Sequence, residues 1–233
     1  GNEDPMYILA GLPFIAPDYS SAWLLKDVQM EYLQEKFDKK GLMILYTAPW
    51  PGQGFYTKFP VNSVSDFKGK KLRIYSTATQ QMGSMLGFNA TILPFAEIPQ
   101  AFSTGLIEAL FTSPQTGIDI QAWDNTKHFT YAGAIFSKNA VVVTKKAFNA
   151  LSKGDQSNML AAAKKAELRG WEMSAETTKK QIGILKKNGM SSKNAPDEVI
   201  SKMKSIGLEM MKNWRSKASP EANAVLDRYL SMR

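Results

Sequence analysis

Apolar residues in the first half of the chain come in short runs closed by glycine or proline. Residues 6–10 form one such run, stopped by Gly11-Leu12-Pro13, in a half that reads as alternating strands and helices. Trp23, Leu24, Val28, Tyr32 and Phe37 then follow a 3.6-residue period, which predicts a helix capped by Ser20 or Ser21. Lys39 and Lys40 suit its C-terminal turn, and Gly41 ends it. Residues 42–46 predict a buried strand, broken by Pro49-Trp50-Pro51-Gly52-Gln53-Gly54. Further strands are expected at 71–75, 90–93 and 107–111, with helices at 77–86 and 94–103 between them. This β-α-β-α-β order predicts a parallel sheet with right-handed crossovers. Two more strands follow at 130–134 and 140–144, the second being the most β-branched stretch of the chain.

Beyond Ala147 the period becomes helical. Ser152 and Asp155 make a capping box that opens a helix running to Lys187, where Asn188-Gly189 stops it. Its apolar face reads Leu160, Ala163, Trp171, Ala175, Ile182 and Leu185. A helix of this length exceeds the usual span, so it must bridge two lobes or lie across both. Pro196-Asp197-Glu198 opens another helix, carrying Val199, Met203, Ile206, Met210 and Trp214, and Ser219-Pro220-Glu221 opens the last.

Composition narrows the chemistry. The 233 residues are 44% hydrophobic and 21% charged, as in ordinary globular chains of one large or two small domains. There is no cysteine and a single histidine, His128, which excludes disulfides, thiolate metal sites and any site needing two imidazoles. The start, Gly-Asn-Glu-Asp-Pro, has no signal-peptide pattern, so the chain is expected to be either cytosolic or an exported form without its leader. The net charge of +8 is concentrated in residues 145–217, with sixteen Lys and Arg against seven Asp and Glu. The lysines come in pairs such as Lys164-Lys165 and Lys186-Lys187, without interleaved aromatics, which favours a solvated helix face over a nucleic-acid surface.

No nucleophile–base set appears. Gly52-Gln53-Gly54 precedes no helix, so it is a weak phosphate cradle, and His128 has no acidic neighbour. Arg73 stands out because it lies between Leu72 and Ile74 in a strand of a parallel unit, where charge is rare unless paired or used. It is either an edge arginine in a surface salt bridge or a guanidinium in a cleft that grips a carboxylate bidentately.

The segment Asp66-Phe67-Lys68-Gly69-Lys70-Lys71-Leu72-Arg73-Ile74 resembles the D-L-K-G-x-K-I-R signature of the DctP-like solute-binding subunits of TRAP (tripartite ATP-independent periplasmic) transporters. Leu86-Gly87-Phe88-Asn89-Ala90, Pro94-Phe95-Ala96-Glu97 and the stretch from Phe102 to Ala109 are similar to later motifs of that family, in its order, and Leu12-Pro13-Phe14 to an earlier one. The resemblance implies an α/β, type II-like periplasmic binding protein whose two lobes close like a flytrap, with the long helix spanning both. Residues 1–50 would belong to a first lobe whose opening part is missing, 51–137 to the second, and 138–178 to the first again. Residues 179–233 would pack mainly on the second lobe.

The implied function is capture of a small organic acid in the periplasm and its delivery to the membrane subunits of a TRAP permease, with no enzymatic activity, cofactor, metal or nucleic acid. The alternatives are an α/β enzyme acting on a small carboxylate and a basic interaction or nucleic-acid module. The resemblance assigns the ligand carboxylate to Arg73. The family's asparagine after the next strand is absent here, so Thr112, Ser113 and Thr116 are expected to supply the polar contacts. No second arginine follows the 50–54 loop, which reads instead as aromatic, with Trp50, Phe55 and Tyr56. Trp50, Phe55 and Tyr75 are expected to wall the ligand, which favours a monocarboxylate with an apolar or aromatic body.

Overall fold

The computed structural model describes residues 3–233. Residues 6–10 are not a strand. Pro5–Gly11 is a 3-10 helix, because Asp4 accepts from the Met6 N–H at 2.8 Å and Pro5 suits a first helical turn. Helix α1 (Tyr19–Asp38) is capped by Asp18, whose Oδ1 accepts from Ser21 N at 2.7 Å, rather than by Ser20 or Ser21. Strand β1 (Leu42–Pro49) pairs antiparallel with β7 (Lys138–Thr144), and these two form a small sheet of their own.

The main sheet has six strands in the order β4-β3-β5-β2-β6-β8. They are β2 (Gly54–Thr57), β3 (Lys71–Ile74), β4 (Asn89–Ile92), β5 (Ala109–Thr112), β6 (His128–Tyr131) and β8 (Ser191–Asn194). Strands β4, β3 and β5 are parallel, as their β-α-β-α-β order requires, with crossovers through α2 (Thr77–Met85) and α3 (Ile98–Ser103). The centre departs from expectation. Residues 54–57, read as loop, are a central strand that runs antiparallel to both β5 and β6. All four residues of β2 are buried, and they alternate between two cores. Phe55 and Phe111 face one core, while Tyr56 and Leu110 face the other.

The first core includes residues of the 3-10 segment, α1, α2, α7 (Asp197–Lys217) and α8 (Pro220–Met232). The expected apolar stripe of α7, from Val199 to Trp214, is buried throughout. Helix α8 packs on α1, while α7 touches α2, the Val64–Phe67 turn and the Pro5–Gly11 turn. Short helices α4 (Pro114–Asp119) and α5 (Lys145–Asn149) follow β5 and β7.

Helix α6 (Lys153–Lys187) has 35 residues and a length of about 52 Å at 1.5 Å per residue. Ser152 caps it as expected, with Asp155 N donating to Ser152 Oγ at 3.1 Å. It packs on β1 of the small sheet and on α4 and β8 of the main body, so it connects the two. Its buried face keeps Ala163, Trp171 and Leu185 of the expected stripe but departs from it elsewhere. Leu160 is 47% exposed and Ala175 is exposed, whereas Ser174 and Gln181 are buried because they face polar partners, Tyr19 and Gln115. Its lysine pairs all face solvent. Among the described residues no helix is long and apolar enough to cross a membrane.

Candidate functional site

A cleft of about 450 Å³ lies where the small sheet meets the C-terminal ends of β3 and β5. Ligands of open α/β sheets bind in this place, because the chain parts there as successive crossovers pass to opposite sides of one strand. The β3-to-β4 crossover goes to one side of β3, and β5 returns on the other. The main-sheet wall carries Arg73, Tyr75, Thr112, Ser113 and Thr116, and the other wall carries Thr47, Trp50, Lys138 and Asn139. Gln29, Met30 and Leu33 of α1 and the Pro5–Gly11 turn close one end. No Asp or Glu lines the cleft among the described residues.

Arg73 is positioned by strand alternation. Leu72 and Ile74 enter the first core, so the residue between them takes the opposite face. It is only 5% exposed, and its one hydrogen bond among the described residues runs from Nε to Leu93 O at 3.1 Å. No described carboxylate lies within ion-pair reach, so the edge salt bridge is not formed, and burial pulls the guanidinium pKa below its ordinary value. The two terminal amines of the fork are left for something else.

Ser113 caps α4 and accepts from Thr116 N at 3.2 Å, with the two hydroxyls 3.1 Å apart. The helix seats against β2, where the Tyr56 hydroxyl donates to Ser113 O at 3.1 Å. Gly117 makes this fit possible, since a Cβ there would overlap the Tyr56 ring. The Tyr75 hydroxyl donates to Gln53 Oε1 at 2.8 Å, and Gln53 passes the chain on to Ser137 Oγ at 3.0 Å. Burial pushes the Tyr75 pKa up to about 12. Trp50 is half-buried at the mouth, its indole donating to Asn139 Oδ1 at 3.1 Å and its backbone N–H to Ser137 O at 2.8 Å.

The cleft thus gathers Arg73, Trp50, Tyr75, Thr112, Ser113 and Thr116, but not Phe55. Phe55 is wholly buried on β2 against Phe67, Phe88 and Phe111, because the supposed loop is a strand. His128 lies on β6, away from the cleft lining. Gly52 and Gly54 serve packing, since a Cβ at either would strike Tyr131 or the Thr130 carbonyl. Sequence reasoning missed Gln53, Thr47, Gln29 and Lys138 as lining residues. The signal for Lys138 was a lysine at the mouth of the Val-rich strand, where the chain recrosses between sheets.

The profile of the bacterial extracellular solute-binding proteins, family 7 (DctP), matches residues 2–217. The chain belongs to this family. It is a family of transport receptors, not of enzymes. The fold is shared with DctP7 of Bordetella pertussis, an extracytoplasmic solute receptor binding pyroglutamic acid. That protein is 38% identical, with a TM-score of 0.95 over 98% of this chain and 76% of its own. A marine metagenome TRAP solute-binding protein specific for pyroglutamate is 32% identical, with a TM-score of 0.93 over 99% of this chain and 76% of that one. A solute-binding protein of Chromohalobacter salexigens is 24% identical over 76% of this chain, and the match spans 55% of that relative's length. The two solved receptors share the α/β architecture seen here.

Proposed function

We propose that this chain is the ligand-capturing part of a TRAP solute receptor that takes a small cyclic monocarboxylate of the pyroglutamate kind. The observation that carries the reading is Arg73, a buried guanidinium whose two terminal amines have no partner among the described residues, in a cleft whose described lining holds no carboxylate. A ligand carboxylate would accept both donors in one plane, which suits Arg better than Lys. Thr112, Ser113 and Thr116 would orient the same end, and Trp50 would cover the apolar ring. The pyroglutamate receptors at 32% and 38% identity support this choice of ligand class.

The lobes would be divided between the small sheet with 1–50 and 138–178, and the main sheet with 51–137. The crossings at 50–53 and 132–137 and helix α6 would connect them. Delivery to TRAP membrane subunits from the periplasm completes the reading. Calorimetry of the full-length receptor with pyroglutamate tests it. Saturable binding that Arg73→Lys weakens supports it, and equal affinity in both proteins rejects it.

A further inference from the structure

Lys138 enters the cleft from the small sheet, in register with Pro49 on β1. Its amine donates to Gln29 Oε1 at 2.9 Å, and Gln29 Nε2 in turn reaches the Met6 sulfur at 3.3 Å. An ammonium carries three donors, and this tie uses one. No described carboxylate pairs with it. Glu167 of α6 is engaged by Lys26 at 3.5 Å and by the Thr47 N–H and hydroxyl at 2.9 and 2.7 Å, and Asp27 by Lys26. The cleft lining on this side also includes the apolar Met6, Met30, Leu33 and Ile44, so a charge here is unusual. The enclosure, with a smaller push from Lys26, pulls the Lys138 pKa down to about 8. A lysine kept here at a cost in stability has two donors without a partner among the described residues.

We propose that Lys138 is the second anchor of the ligand, donating a hydrogen bond to a ligand oxygen remote from the carboxylate held by Arg73. The inference rests on the solute-receptor reading and specifies its ligand class: an acid with a second oxygen acceptor, such as the ring carbonyl of a lactam acid. Arg73 and Lys138 belong to different sheets, so one ligand holding both would tie the two walls together.

The test is calorimetry on the full-length receptor with pyroglutamate, cyclopentanecarboxylate and glutarate. The second acid keeps the ring size and carboxylate but has no ring oxygen. The wild-type protein should prefer pyroglutamate, and Lys138→Met should lose about 10- to 100-fold of that affinity, the value of one charge-assisted hydrogen bond, while cyclopentanecarboxylate binding stays put. Gln29→Leu, which cuts the tie but keeps the amine, should lose less of the preference than Lys138→Met does. Equal losses for both cyclic acids in Lys138→Met, or no loss for either, overturn the anchor. So does a Gln29→Leu protein that reproduces the Lys138→Met result, because the lysine would then act only through Gln29. Strong, Lys138-dependent binding of glutarate without pyroglutamate keeps the anchor and overturns the cyclic-monocarboxylate reading. Failure of the wild-type protein to bind any of the three overturns both.

Discussion

Arg73 and Lys138 carry opposite tests of the same idea, that stability has been exchanged for binding. Arg73 is buried with no counter-ion among the described residues, so a ligand carboxylate should gain two charge-assisted bonds from it. Arg73→Lys keeps the charge but loses the fork, and affinity should fall by about 1.5–3 kcal/mol in a titration. Arg73→Met should abolish carboxylate binding yet raise the stability of the ligand-free protein by about 1 kcal/mol in denaturant melts, since it removes an uncompensated buried charge. A drop in stability would mean that the bond to Leu93 matters more than the desolvation. For Lys138 the sign follows from a folded pKa of about 8 below the ordinary 10.5. Between these values the unfolded chain binds more protons, so stability should rise as pH goes from about 8 to 10.5. Below pH 8 both states hold the proton and the penalty is fully present. Melts of wild type against Lys138→Met should show this rise in the wild type alone.

Elements with a strong period or a clear cap were legible in the chain, and elements fixed by tertiary pairing were not. Helices α6, α7 and α8 start at the serine or proline expected for each, because capping and 3.6-residue spacing are local. Strand β2 was missed because four residues between glycine and proline breakers give no period, and its place in the sheet comes only from β5 and β6 on either side. That miss misplaced Phe55 as a ligand wall. Strand β8, Ser-Ser-Lys-Asn, has no apolar signal at all and exists by pairing with β6. Arg73 was legible because charge inside an apolar strand is rare, whereas Lys138, a lysine at the mouth of the Val-rich strand, was placed on the cleft only by the pairing of β7 with β1. The same dependence on neighbours predicts a weak point at α4. Gly117→Ala would drive a methyl into Tyr56, and the overpacking should cost about 1–3 kcal/mol in chemical denaturation. Because α4 carries Ser113 and Thr116, ligand affinity should fall as well. Unchanged stability would show that the helix has room to shift.

At the scale of the whole molecule, the cleft walls come from two sheets that share two chain crossings and one helix. The crossings are short and tied to each other through Trp50 N–H to Ser137 O at 2.8 Å. Helix α6 is anchored to the small sheet by Trp171, whose Nε1 donates to Thr47 Oγ1 at 3.2 Å, and to the main body by Gln181, which donates to Gln115 at 2.8 Å. Such connections permit rotation of one body against the other while keeping each intact. A ligand that engages Arg73 on one wall and Trp50 or Lys138 on the other favours the closed arrangement by its extra affinity for it, and only by that amount. This chain contains no cysteine, so paired labels would read the proposed closure. Spin labels on the full-length receptor at Gln100→Cys in α3 and Asn149→Cys in α5, both exposed, report on the two bodies. The distance between them should shorten and narrow on adding pyroglutamate, and Arg73→Lys should require more ligand for the same change. A distance distribution that stays fixed while calorimetry records binding would mean that the ligand enters a rigid cleft, and the flytrap reading would fall.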